Sequence, residues 1–271
     1  MPERPACRAS GTARGIPLNP GRRRARWPAV EMVNSATRPA VSSRFAILLA
    51  LLGTLGYLSI PRFSGTPPPS ANESAAISTL RSIHSAQSRF RAEGHVDRDG
   101  DGNGEYGTLG ELAGLDPLRG RGHAAPLDAA LLSRALGITD EAGRTARSGY
   151  LFQLHLPDAD GHGLPVANAS STRLPEVDPD AAEGLWTCYA WPVDAGRSGR
   201  RAFFVDQRGD VYDTANRLQR YSGDGPGPNF DAALAGPGSI EGPVADGVAG
   251  RDGNLWRRLP PPPRSARSGG G

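Results

Sequence analysis

The sequence predicts an α+β protein, with an N-terminal membrane helix, an amphipathic helix packed on an antiparallel sheet of three or four strands, and disordered termini. Three observations support this fold class. An apolar run of sixteen residues occupies positions 45–60, a helical pattern of apolar residues begins at Asn72, and short stretches of alternating polarity follow from Tyr150. Both ends of the chain lack such patterns.

These patterns divide the chain into five parts. The Arg- and Pro-rich leader and the Gly- and Pro-rich tail are predicted to be disordered, and a Pro-rich spacer keeps the folded domain away from the membrane segment. The predicted parts are a leader at 1–43, a transmembrane or signal-anchor helix at 44–63, a spacer at 64–71, an α+β domain at 72–235 and a tail at 236–271.

The apolar run at 45–60 has a length between that of a signal-peptide core and that of a spanning helix. No small-x-small cleavage pattern follows it, which favours an uncleaved anchor over a cleaved signal peptide. Residues 1–44 carry nine Arg against two Glu, so the rest of the chain is left with a charge of about −4 out of the total of +3. This asymmetry predicts a single-pass topology with a cytoplasmic N-terminus and an exported C-terminal domain.

The amphipathic helix is predicted to start with Asn72 as N-cap and Glu73 in its first turn, and to end near Ala92, before Gly94. A short helix is expected at 108–113 and a second one at 127–136. The apolar face of the first helix consists of Ala76, Leu80, Ile83, Gln87 and Phe90.

The remaining elements are predicted strands. They lie at 150–156, 185–193, 201–206 and 210–213, and a tight hairpin joins the last two. Large aromatic residues point to both faces of the second strand, which indicates core packing rather than a carbohydrate platform. Cys188 lies in this strand and is predicted to be a buried, inert thiol. Cys7 precedes the membrane segment, so the two cysteines are expected in different compartments and unpaired.

A loop rich in Asp and Gly carries the clearest chemical signal. Its D-x-D-x-D-G spacing is typical of the start of a calcium-binding loop, in which alternating side chains converge on the ion. The twelfth position is Thr108 rather than the bidentate Glu of a complete EF-hand, so the alternative is a solvated turn. The candidate calcium ligands are Asp97, Asp99, Asp101, Asn103 and Glu105.

Catalytic motifs give no further lead. The chain has no G-x-S-x-G, H-E-x-x-H or phosphate-binding Gly-rich loop. A second polar cluster follows the first strand and is interpreted as the decoration of a hairpin tip, since its spacing matches no known metal site. It consists of His155, Asp158, Asp160 and His162.

Two parts of the chain resemble a known family. The apolar segment ending in Ile60-Pro61-Arg62-Phe63, with the helix at 72–87, resembles the type IV pilins and the pseudopilins of type II secretion. The stretch at 148–211 resembles large pilin-like proteins of unknown role from high-GC bacteria. The resemblance covers roughly residues 44–215. It implies a helix that begins in the bacterial inner membrane and packs on an antiparallel sheet in the periplasm.

Two positions differ from those of a prepilin. Arg44 precedes Phe45 where a prepilin has Gly, and Leu49 stands where the helix of a prepilin carries Glu. These differences favour a membrane-anchored protein with a pilin-like fold over a filament subunit, and they leave self-assembly open.

The resulting prediction is a membrane-anchored, pilin-like envelope protein without enzymatic activity, in a protein-interaction or pseudopilin-type structural role with protein partners in the cell envelope. One alternative is an exported calcium-binding module unrelated to pilus or secretion machinery, and another is an exported enzyme with an unrecognised site. Nucleic acid is not expected as a partner, because the excess of positive charge is confined to the leader.

Overall fold

The computed structural model describes residues 68–120, 125–166, 168, 171, 173–236 and 238–261. These described residues form four α-helices and one antiparallel sheet of seven strands. The helices are α1 (Pro69–Ala92), α2 (Leu109–Leu112), α3 (Arg134–Gly137) and α4 (Pro179–Gly184). The strands are β1 (Arg144–Arg147), β2 (Tyr150–Pro157), β3 (Gly163–Pro165), β4 (Thr187–Pro192), β5 (Ala202–Asp206), β6 (Val211–Thr214) and β7 (Trp256–Arg258).

The strand order in the sheet is β1-β2-β4-β5-β6-β7. β1 pairs with the first half of β2 and β3 with its second half, so these two short strands share one edge of β2. The α+β class and the antiparallel sheet are therefore confirmed. The predicted number of three or four strands is wrong, because β1, β3 and β7 are only three or four residues long and show no alternating pattern.

Helix α1 is longer at its start than predicted. It begins at Pro69, a residue whose fixed φ suits the first helical position. Asn72 and Glu73 are therefore not a cap but buried residues of the helix, and the last part of the predicted spacer is helical. The end is as predicted, because Gly94 adopts a φ of +61° just beyond the C-cap Glu93.

The predicted apolar face of α1 packs on the sheet and contacts β2, β4, β5 and β6. Its five predicted residues are all buried. Gln87 satisfies both ends of its buried amide with the backbone of Gly107, by hydrogen bonds of 2.7 and 2.9 Å. A Cβ at Gly107 would lie 3.0 Å from the ring of Phe90, so a larger residue would require that ring to shift. Cys188 is buried beneath the helix, and burial raises the pKa of its thiol, as expected for an inert group.

A second core covers the opposite face of the sheet. Tyr189, Trp191 and Phe204 point to this side and pack against Leu234 and Trp256. The Tyr189 hydroxyl donates to the carbonyl of Phe230 and accepts from the backbone N–H of Ala233, both at 3.0 Å. The prediction of aromatic core packing is confirmed. The predicted disordered tail at 236–271 is wrong for residues 238–261, because this segment contributes β7 and completes the second core.

The predicted helix at 127–136 is also wrong. A helical turn forms only at α3, because the backbone N–H groups of Leu131 and Leu132 both donate to the carbonyl of Leu112. These contacts with α2 replace the hydrogen bonds of a helix. The short helix predicted at 108–113 is confirmed as α2, with Thr108 and Glu111 forming a capping box.

The predicted leader and the apolar run at 45–60 lie outside the described residues. Within the described ranges, no helix is both long enough and apolar enough to span a bilayer.

Candidate functional site

The Asp-rich loop follows directly after α1. Asp97 accepts a hydrogen bond from the backbone N–H of Gly100, and Asp101 accepts one from the backbone N–H of Asn103, both at 2.8 Å. Gly100 and Gly102 have φ values of +79° and +95°, a region that residues with a Cβ rarely adopt. The turn therefore depends on glycine at both positions. The backbone that these glycines permit lets the aspartate carboxylates of the loop lie close together.

The predicted ligands separate into two groups. Asp97, Asp99 and Asp101 each offer a carboxylate oxygen, and these oxygens lie within 4.8 Å of one another. Asn103 lies in the same loop, and its side-chain amide donates to the carboxylate of Asp101 at 2.7 Å. Glu105 does not belong with them. It is 1% exposed and points inward, so its assignment as a calcium ligand is corrected.

Glu105 instead belongs to a buried ion network below the loop. Its carboxylate accepts from Nε of Arg98 at 3.0 and 2.9 Å and from Nη1 of Arg119 at 3.3 Å. Arg119 also binds Glu111 through its backbone N–H and its Nε, at 2.9 and 3.1 Å. Arg98 donates onward to the carbonyl of Val177 at 2.8 Å. The network fixes both ends of the loop and ties it to the segment before α4.

Helix α4 adds two carboxylates that no sequence pattern places here. Asp178 caps α4 by accepting from the backbone N–H of Ala181 at 2.9 Å. Asp180 and Glu183 then lie beside Asp99, with ligand oxygens of the three residues within 4.8 Å of one another. We call Asp97, Asp99, Asp101, Asp180 and Glu183 the acidic cluster.

The electrostatics of the acidic cluster indicate repulsion among its carboxylates. A hydrogen bond with Asp99 and the charge of that residue raise the pKa of Asp180. Burial raises the pKa of Glu183, and the charges of Asp101, Asp99 and Asp180 add to this. The backbone N–H of Asp101, in contrast, lowers the pKa of Asp99. A hard cation with oxygen ligands would relieve the repulsion.

The second polar cluster is a hairpin tip, as interpreted from the sequence, and it splits in the structure. Asp158 accepts from the backbone N–H groups of Asp160 and His162 at 3.0 and 2.8 Å, an arrangement that stabilises a turn. These three residues offer ligand atoms within 4.8 Å of one another. His155 is not part of the tip, because it is buried against Tyr189 with a ring-centroid distance of 6.0 Å.

Comparison of the chain with protein-family models, curated proteins and solved structures finds no match. The resemblance to pilins and pseudopilins therefore stays a prediction based on the residues quoted above.

Proposed function

We propose that this chain is a membrane-anchored, pilin-like protein of the bacterial cell envelope, without enzymatic activity, whose exported domain works through contacts with other envelope proteins. One observation carries the proposal. A helix of 24 residues follows the apolar run within a few residues of sequence and packs along one face of an antiparallel sheet. A membrane segment that leads into such a helix is the arrangement on which the resemblance to pilins rests.

The anchor is tested by fractionating cells that express the full chain with a tag at each end. We expect recovery in the membrane pellet after a carbonate wash. Leu51→Arg/Leu52→Arg places two charges in the apolar run, each costing about 2.5 to 3.5 kcal/mol of insertion free energy, and should move the chain to the soluble fraction. Leu51→Ile/Leu52→Ile is the matched control. Wild-type protein found only in the soluble fraction would refute the anchor.

The orientation is tested on the same cells with a protease added outside the inner membrane. The C-terminal tag should be degraded and the N-terminal tag protected. The reverse result would overturn the proposed export of the domain.

An exported calcium-binding module is the second candidate function, favoured by the convergence of two elements in the acidic cluster. Extracellular calcium modules have dissociation constants of about 10⁻⁴ to 10⁻³ M. Calcium at about tenfold above such a constant should stabilise the fold by about 1.4 kcal/mol, and so raise the melting temperature by a few degrees.

Asp99→Asn is the variant that tests this site, because Asp99 belongs to both halves of the acidic cluster. It should abolish the calcium-dependent rise in melting temperature. Asp128→Asn removes the same charge at an exposed position and should keep the rise. A wild-type protein whose melting temperature does not change with calcium up to about 10 mM, tenfold above the weakest expected constant, would exclude this function.

A further inference from the structure

The loops that pack against the start of α1 carry a concentration of positive charge. The loop at 194–201 is fixed to α1 because Asn72 Nδ2 donates to the carbonyl of Ser198 at 2.8 Å. Glu73 Oε1 accepts from the backbone N–H of Arg200 at 2.9 Å, and Glu73 Oε2 from Nε of Arg201 at 2.9 Å. The loop at 215–220 lies alongside, where Arg220 donates to the carbonyl of Ala195 at 2.6 Å.

Four arginines at this place are exposed and make no ion pair with any carboxylate of the described residues. They are Arg200, Arg217, Arg220 and Arg257, which we call the basic patch. The nearby acids are already engaged. Glu73 and Asp213 both pair with Arg201, at 2.9 and 2.6 Å, and Asp194 faces Arg197 at 3.8 Å.

Two adjoining grooves join these arginines into one surface. One has a volume of about 380 Å³ and is lined by Arg201, Arg217 and Arg257. The other, of about 300 Å³, is lined by Arg200, Arg217 and Arg220. Because Arg217 belongs to both, the positive charges form a continuous strip.

Apolar side chains are exposed within the same surface. Leu218 is 79% exposed and lies between Arg217 and Arg220, and Leu255 is 41% exposed in the same groove as Leu218. An apolar tip flanked by arginines matches the chemistry of a lipid headgroup layer, where guanidinium groups bind phosphates and a leucine enters between the headgroups. Nucleic acid would use the charges but leave the leucines unexplained.

We propose that the basic patch docks on the surface of an anionic phospholipid membrane. The inference rests on the proposed membrane anchor, because only residues 61–67 separate the apolar run from the start of the described chain. Seven residues span at most about 25 Å when fully extended. The described chain begins at Pro68, next to α1, and the basic patch includes Arg200, whose backbone N–H donates to Glu73 near the start of that helix.

The test uses the full chain with lipid vesicles, either purely zwitterionic or containing one third phosphatidylglycerol. Flotation reports the anchor, and amide hydrogen exchange at residues 217–220 reports docking. We expect flotation with both vesicles and at least fivefold slower exchange on the anionic ones, since one arginine near an anionic surface contributes about fivefold. Salt at 0.5 M should remove the difference.

Arg217→Ser/Arg257→Ser should abolish the slowing while the protein still floats. Arg91→Ser/Arg134→Ser removes the same charge from exposed arginines away from the patch and should keep it. Flotation with equal exchange rates on both vesicles would overturn the docking and leave the anchor. Flotation with anionic vesicles alone would refute the anchor and support the docking. Flotation with neither refutes both. Slowing that depends on protein concentration without vesicles would assign the patch to contacts between copies, and so overturn the proposal.

Discussion

The two ends of α1 differ in the sign of their charge but share one design. Where the chain enters the helix, Glu73 is buried and holds Arg201 and the neighbouring loop. The four arginines of the basic patch make no ion pair in the part of the chain described. Where the chain leaves the helix, Glu105 and Arg119 are buried and paired, while the acidic cluster forms no ion pair within the described residues. At each end, the buried charges hold the backbone in place, and the surface charges remain accessible to a binding partner. The comparison predicts that stability and binding are separable at both ends.

The largest expected effect is the loss of the buried network at the acidic end. Arg119→Ala leaves Glu105 and Glu111 without a shared partner in the interior, and breaking a buried ion pair costs about 3 to 5 kcal/mol. Arg217→Ser at the basic end should change the free energy of unfolding by less than about 0.5 kcal/mol. Urea denaturation of both variants measures the difference. Equal losses of unfolding free energy in the two variants would contradict the proposed difference between buried and surface charges.

The basic end has one buried charge of its own, which gives a smaller effect. Glu73→Ala removes the acceptor for two backbone N–H groups and a guanidinium, and should cost about 2 to 3 kcal/mol of unfolding free energy. Glu93→Ala removes only exposed interactions, with Arg89 and His95 at the other end of α1, and should lower the melting temperature much less than Glu73→Ala. Thermal melting of the two variants compares the two ends directly, and a costlier Glu93→Ala would contradict the assignment.

Part of the pH dependence of stability comes from His155, which belongs to neither end of α1. Burial lowers the pKa of His155 to about 3, below the value of about 6.5 in the unfolded chain. The unfolded state therefore binds the proton more readily. The contribution of His155 to stability is fully present above about pH 6.5. It declines as the pH falls, by about 2 kcal/mol between pH 7 and pH 5. His155→Phe should remove this decline in denaturation measured at both pH values, whereas an unchanged decline would assign it to other groups.

The smallest expected effect concerns the pH dependence of stability, which has opposite signs at Glu73 and at Asp180. The backbone N–H of Arg200 and the guanidinium of Arg201 outweigh burial, which alone would raise the pKa of Glu73, and hold that pKa below its usual value. Glu73 therefore stabilises the fold above about pH 4.5, and this is lost in acid. The raised pKa of Asp180 acts in the opposite direction, because its charged form is disfavoured in the folded state. Asp180→Asn should stabilise the fold at neutral pH and lose that gain in acid, as melting at several pH values would show. A loss at neutral pH would contradict it.

The sequence predicts the elements whose pattern is local and regular. The spacing of Leu80, Ile83 and Phe90 marks α1, and alternation marks β2 and β4. The residues that complete the second core were missed because they are single large residues such as Trp256, which lies in a strand of only three residues without a repeating pattern. Only tertiary contacts decide that such a residue is buried.

The candidate site also contains one part that a local sequence pattern predicts and other parts that depend on tertiary contacts. The turn at Asp97–Asp101 was visible in the sequence because glycine and alternating aspartate produce it locally. The inward orientation of Glu105 was not, since it depends on Arg119 fourteen positions further along. Asp180 reaches the site from a helix some eighty residues away, a distance over which no local pattern carries information.

The length of α1 has a consequence for how the two ends act together. Its 24 residues measure about 36 Å along the axis, whereas ions in a physiological medium screen a surface charge within about 8 Å. The helix therefore keeps the charges at its two ends electrostatically independent of each other. A calcium ion bound at the acidic cluster would leave the electrostatics of the basic patch unchanged, and a variant at one end is expected to keep the affinity proposed for the other.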